Sequence, residues 1–149
     1  MNTPKYIIIH CSATKVTNNV SLEEITKWHK ARGFKNIGYH YYITKDGTIH
    51  KGRDEKLSGA HTVGYNSNSI GICYEGGLDK NGKAFDTRTP QQKQSLIDLI
   101  LDIKGRYPIK KVMGHRDTSP DLNKDGKITP NEYIKSCPCF DAITEYKEL

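Results

Sequence analysis

K-Y-I-I-I-H, residues 5–10, decides the fold. An apolar run this rich in β-branched side chains reads as a buried strand. S-I-G-I-C-Y-E at 69–75 reads the same way, and K-V-M-G at 111–114 gives a shorter strand. Tyr39 to Thr44 and Thr48 to Lys51 form a strand pair joined at Asp46-Gly47, a dipeptide that favours a hairpin. Between the strands lie helices. Ser21 and Glu24 make a capping box, Leu22, Ile25 and Trp28 recur at helical spacing, and Gly33 closes the helix. Thr89-Pro90-Gln91-Gln92 opens a second helix with Pro at its first position, and Leu96, Leu99, Ile100 and Ile103 form its buried stripe. Thr129-Pro130 starts a third helix and Asp141 caps a last one. Strands and helices mix without strict βαβ alternation. The expectation is therefore a mixed α/β fold, a central mixed β-sheet flanked by helices, in a single domain over residues 1–149.

At 149 residues the chain is long enough for a hydrophobic core. No apolar run approaches the ~20 residues of a membrane span, so no membrane insertion is expected. The first ten residues lack the pattern of a secretory signal. Synthesis in the cytoplasm is expected, with action elsewhere only after release. Lys and Arg outnumber Asp and Glu, 23 to 17. This excess favours an anionic partner, but its scatter argues against nucleic acid. With no export signal, Cys11, Cys73, Cys137 and Cys139 are expected to be reduced or metal-bound rather than paired in disulfides. Nothing in the sequence asks for more than a monomer.

His10 ends one buried strand and His115 follows another. Ligands at strand ends stand on a rigid scaffold. Cys137 adds a softer donor. Two imidazoles and a thiolate suit zinc and leave a fourth tetrahedral position open, as in catalytic sites. Spacing alone leaves the alternative standing, because a histidine at a strand end is often a satisfied polar residue. Alternation along the strand should point Cys11 away from His10. Cys73 reads as a small buried residue, His29 as packing beside Trp28, and His40 and His50 as strand residues without a metal role.

Several motifs occur in one order: H-C-S-A-T at 10–14, W-H-K at 28–30, G-Y-H-Y at 38–41, and D-G-T at 46–48 with G-R-D-E at 52–55. G-A-H-T-V-G-Y-N-S-N-S-I-G-I-C at 59–73 and K-S-C-P-C-F-D at 135–141 complete the series. From about Lys5 to Asp141 the chain resembles the zinc-dependent N-acetylmuramoyl-L-alanine amidases of the phage-lysozyme type. Animal peptidoglycan recognition proteins share that fold. The resemblance implies zinc in a surface cleft, peptidoglycan as partner, and hydrolysis of the amide between the lactyl group of N-acetylmuramic acid and L-alanine. It implies His10, His115 and Cys137 as zinc ligands. Tyr39 would hydrogen-bond the attacking water or the tetrahedral intermediate, and Lys135 would stabilise the oxyanion. Without the resemblance, Tyr39 reads as a core aromatic and Lys135 as part of a solvated helix face. His61 falls in the cleft wall, either binding the stem peptide or muramic acid or serving the structure. Cys139 stands where the phage enzyme has serine, a substitute ligand behind the better-aligned Cys137.

Between His115 and Cys137 runs a second pattern. Asp121, Asn123, Asp125, Gly126 and Glu132 fit the EF-hand loop D-x-[DN]-x-[DN]-G with Glu at the twelfth place. Asp121, Asn123 and Asp125 would give side-chain oxygens, Lys127 its carbonyl, Thr129 a direct or water-mediated contact, and Glu132 a bidentate carboxylate. The expected ligand is a structural calcium ion in an isolated loop at 121–132, since Ser119-Pro120 rules out an entering helix. The competing reading is a turn followed by a capping box at Thr129 and Glu132. The functional expectation is a zinc amidase that degrades peptidoglycan, a phage or prophage endolysin. The rival is a non-catalytic peptidoglycan-binding module, which would usually have lost a ligand.

Overall fold

The computed structural model describes residues 1–118 and 137–149. The oxygen-rich run with Asp121, Asn123, Asp125, Lys127, Thr129 and Glu132 lies outside them, as do Lys135 and the helix expected at Thr129-Pro130. In chain order the strands are β1 Tyr6–Cys11, β2 Thr14–Lys15, β3 Tyr41–Ile43, β4 Ile49–Lys51, β5 Ser69–Tyr74, β6 Gly77–Leu78 and β7 Lys111–Gly114. The helices are α1 Leu22–Ala31, α2 Pro90–Arg106 and α3 Ala142–Glu145. Among the described residues, the main sheet runs β4-β3-β5-β1-β7. Its pairs are parallel except the antiparallel β3–β4 hairpin, so the sheet is mixed as expected. The small β2–β6 pair was not signalled by any apolar run.

Period-2 alternation divides the sheet between two cores. Ile7, Ile9 and Cys11 on β1, Tyr41 and Ile43 on β3, and Ile70, Ile72 and Tyr74 on β5 face one side. There they meet Leu96, Leu99, Ile100 and Ile103 of α2, with Phe140, Ala142 and Tyr146 around α3. Each fully buried aliphatic side chain contributes roughly 1.5–3 kcal/mol. On the other side Tyr42 and Cys73 pack with Val20, Ile25 and Ile37 beneath α1. Cys11 therefore points away from His10, and Cys73 is fully buried, both as expected.

Local signals set the boundaries. Ser21 accepts the Glu24 amide at 3.2 Å to cap α1, and Thr89 with Gln92 completes the capping box of α2. Gly47, at φ +86°, closes the hairpin, its amide donating to the Thr44 carbonyl at 2.8 Å. Asp141 caps α3 through the Thr144 amide. Two readings shift. β3 starts at Tyr41, so Tyr39 and His40 precede the strand. In α1 the inward residues are Ile25 and His29, while Trp28 is 44% exposed. His29 accepts the Gly38 amide at 2.8 Å, which offsets the cost of burying its imidazole.

Candidate active-site cleft

The sheet register brings the two histidines together. β1 and β7 are parallel neighbours in which Ile9 pairs with Gly114. One step further along each chain stand His10 and His115, with ring centroids 4.6 Å apart. Cys137 is fastened to both strand ends. Its sulfur accepts the Cys11 amide at 3.1 Å, and its carbonyl accepts the Arg116 amide at 2.8 Å. Next to it, the Tyr74 hydroxyl donates to the Pro138 carbonyl at 2.5 Å. Close approach of this segment depends on Gly114, where a Cβ would lie 2.5 Å from Pro138 Cδ. Any side chain at 114 would push the segment out.

Donor atoms of His10, His115 and Cys137 all lie within 4.8 Å of one another. Tetrahedral zinc with N and S ligands needs separations of about 3.3–3.7 Å. An N2S donor set suits zinc. Cys139 does not join this group; its thiol faces the Gly77 carbonyl at 3.3 Å. All four cysteines are free thiols. Hydrogen bonding from Cys137 and burial push Cys11 up to about 12, which keeps it a neutral thiol.

A cleft of about 360 Å³ opens over these groups, lined also by Trp28, His29, Arg32, Phe34, Tyr39 and His61. Tyr39 leans over His10 with ring centroids 5.0 Å apart. Burial, then the thiols of Cys73, Cys137 and Cys11, hold its phenol well above the ordinary range. It is a hydrogen-bond donor across neutral pH. Burial and the neighbouring Arg32 and Arg53 charges lower His29.

His61 lines the cleft and stands directly against His10. Its Nδ1 is 2.9 Å from His10 Nε2. Burial, with His40, His115 and Arg53 nearby, lowers its pKa to about 3. His40 is not a strand residue with a free face. It accepts the Gly71 amide at Nδ1 and donates from Nε2 to the Leu57 carbonyl, tying the loop to β5. His50 does sit on a strand, β4, beside the Thr44 hydroxyl.

Sequence reading missed the residues that support this cleft. Asn66 accepts the amides of both His61 and Thr62 at 2.9 Å through one side-chain oxygen. The buried Glu75 carboxylate accepts the amides of Val20 and Lys45, joining the entrance of α1 to the hairpin. Arg88 pairs with Asp86 and Glu145 and stacks on Phe140 at 3.4 Å, holding α3 in place. The one available signal was the unusual density of small and amide residues at 59–73. Among the described residues, no helix is long and apolar enough to cross a membrane.

Comparison with known proteins agrees with this geometry. The family model for N-acetylmuramoyl-L-alanine amidase matches residues 1–132. The endolysin of Enterobacteria phage T3 is 42% identical over 139 residues, covering 93% of this chain and 83% of that protein. N-acetylmuramoyl-L-alanine amidase LysC from Clostridium intestinale URNW superposes with a TM-score of 0.74 at 33% identity, over 97% of this chain and 83% of that one. Drosophila PGRP-LB superposes with a TM-score of 0.72 at 24% identity, over 99% of this chain and 82% of that one, a likeness of fold. A family match across most of the sequence, together with a cleft built at the ends of parallel strands, makes the chain a member of the N-acetylmuramoyl-L-alanine amidase family.

Proposed function

We propose that the chain cleaves the amide joining N-acetylmuramic acid to L-alanine at a zinc centre held by His10, His115 and Cys137, and that it acts as a phage or prophage endolysin reaching the wall after release. The observation that carries this reading is the convergence of those donors at the cleft floor. Zinc, when bound, would acidify water and polarise the scissile carbonyl. The chain's own residues do the rest. The protonated Tyr39 phenol donates a hydrogen bond to oxygen in the cleft. Lys135 would supply a positive charge for the oxyanion. The net charge of +6 draws the protein to an anionic wall, an attraction that salt weakens.

The experiment is digestion of purified peptidoglycan with mass spectrometry of the new ends. Free stem peptides beginning with L-alanine are expected, and new reducing sugar ends would count against the amidase. Full activity in His10→Ala would rule out the metal centre. Binding without cleavage would favour the recognition module.

The pattern at 121–132 supports a structural calcium ion held by Asp121, Asn123, Asp125, Lys127 and Glu132. Calcium would order the connection that carries Lys135 and Cys137. A calcium-selective chelator should then lower activity and melting temperature with zinc retained. Unchanged behaviour of Asp121→Ala and Glu132→Ala would sink the idea.

A further inference from the structure

We propose that His61 is a positioning residue for the metal centre, one that fixes the tautomer and orientation of His10. The inference rests on reading His10 as a metal ligand, and its test separates the two.

The hydrogen bonds determine the protons. The Ser69 hydroxyl lies 2.6 Å from the Tyr65 carbonyl and donates its single hydrogen there. Ser69 Oγ is therefore an acceptor toward His61 Nε2, 3.3 Å away, and His61 carries its proton on Nε2. In the neutral ring Nδ1 is then an acceptor. It faces His10 Nε2 at 2.9 Å, so His10 must be the donor of that bond. Thr62 Oγ1, 3.0 Å from His61 Nδ1 and 3.3 Å from His10 Nε2, is compatible with that assignment. If it donates to His61, it too accepts from His10. With the His10 proton on Nε2, the nitrogen that serves a metal is Nδ1. A ligand histidine whose other nitrogen is engaged in this way has a fixed ring plane and a more basic donor atom.

The surroundings are shaped for this ring. A Cβ at Gly59 would lie 2.4 Å from His61 Cδ2, and one at Gly71 would lie 2.7 Å from the same atom. Glycine at these places leaves room for an imidazole and little else. The Asn66 oxygen holds the backbone from which the ring extends. His61 thus has a packed slot, a proton acceptor on one nitrogen and a ligand on the other. That arrangement accounts for its position against His10.

The test measures zinc affinity by competition with a chromophoric chelator, using the whole chain. His61→Asn and His61→Leu are the informative pair. They are similar in size, and only asparagine keeps an acceptor near the place of Nδ1. His61→Leu should bind zinc ~10–100-fold more weakly, with His61→Asn recovering most of that loss. Ser69→Ala, which touches no ligand, should weaken zinc in the same direction by a smaller factor. Melting of each metal-free protein checks folding independently. If His61→Leu and Ser69→Ala both bind zinc as tightly as wild type, while His10→Ala does not, the positioning role is wrong and the ligand reading survives. Wild-type zinc affinity in His10→Ala would remove both. Equal losses in the asparagine and leucine variants would also overturn the proposal, because bulk and not the acceptor would then matter.

Discussion

Gly71→Ala is a single added methyl group in the middle of β5, and it should disable the cleft. The new Cβ would lie 2.7 Å from His61 Cδ2 and 2.8 Å from both Cγ and Nε2. Ordinary carbon contacts are about 3.5–4.0 Å, so the ring must recede by roughly 0.8–1 Å. The clash falls on Cδ2, Cγ and Nε2, so the shift takes Nδ1 out of line with the His10 ring, to which it lies 2.9 Å away, and weakens that bond. Overpacking costs ~1–3 kcal/mol. For a domain of this size that lowers the melting temperature by roughly 3–10 °C. A ~1 Å misplacement of a group that orients the site costs ~100-fold in turnover. The assay pairs thermal unfolding with release of stem peptides from purified peptidoglycan. Wild-type turnover with an unshifted melting temperature would refute the reasoning, since it would mean the imidazole has room to move.

Other perturbations follow from the same structure. Gly105→Ala in α2 meets nothing within 4 Å and should stabilise by ~0.5–1 kcal/mol, read as a higher urea midpoint with unchanged activity. Arg88→Met leaves Asp86 and Glu145 without their cation. Breaking a fully buried pair costs ~3–5 kcal/mol, but both carboxylates keep partial access to water, so ~1–3 kcal/mol is expected in denaturant melts. A wild-type midpoint would show that α3 docks without this arginine. His29, His40 and His61 all have folded pKa values below the ordinary 6.5, chiefly through burial. Below pH 6.5 the unfolded chain takes up protons that the folded chain refuses, so stability falls as pH drops. With His61 lowered to about 3, it alone should cost about 2 kcal/mol by pH 5. A melting temperature that stays flat from pH 7.5 to 5 would contradict that sign.

Strands β1 and β5 were legible because strands covered on both faces need continuous apolar runs, and nothing else in the chain resembles them. Helix α2 was legible from its capping box and its stripe at 96, 99, 100 and 103. β2 and β6 were not, because two-residue strands carry no period to detect. Trp28 and His29 show the limit of the helical pattern. Hydropathy favours burying tryptophan, but the Gly38 amide reaches only the residue that can accept a hydrogen bond. Motif order brought out His10, His115 and Cys137, while the sheet register that unites them is a three-dimensional fact. His61 was placed in the right block with an open role. Its partners Thr62, Asn66 and Ser69 are local in sequence, but His10 is 51 residues away.

The pairing of β1 with β7 also bears on when the site comes into being. These strands come from opposite ends of the described chain, and His10 meets His115 only in the register that pairs Ile9 with Gly114. A helix or a hairpin can form from neighbours in sequence within microseconds. Parallel pairing across so long a stretch comes late, because the chain must close a large loop before any contact repays it. A slip of one residue would turn His10 to the opposite face. The power to capture a divalent ion should thus arise with the native register and not before. A coloured divalent ion added to the refolding chain would then act as a clock for the closure of the sheet.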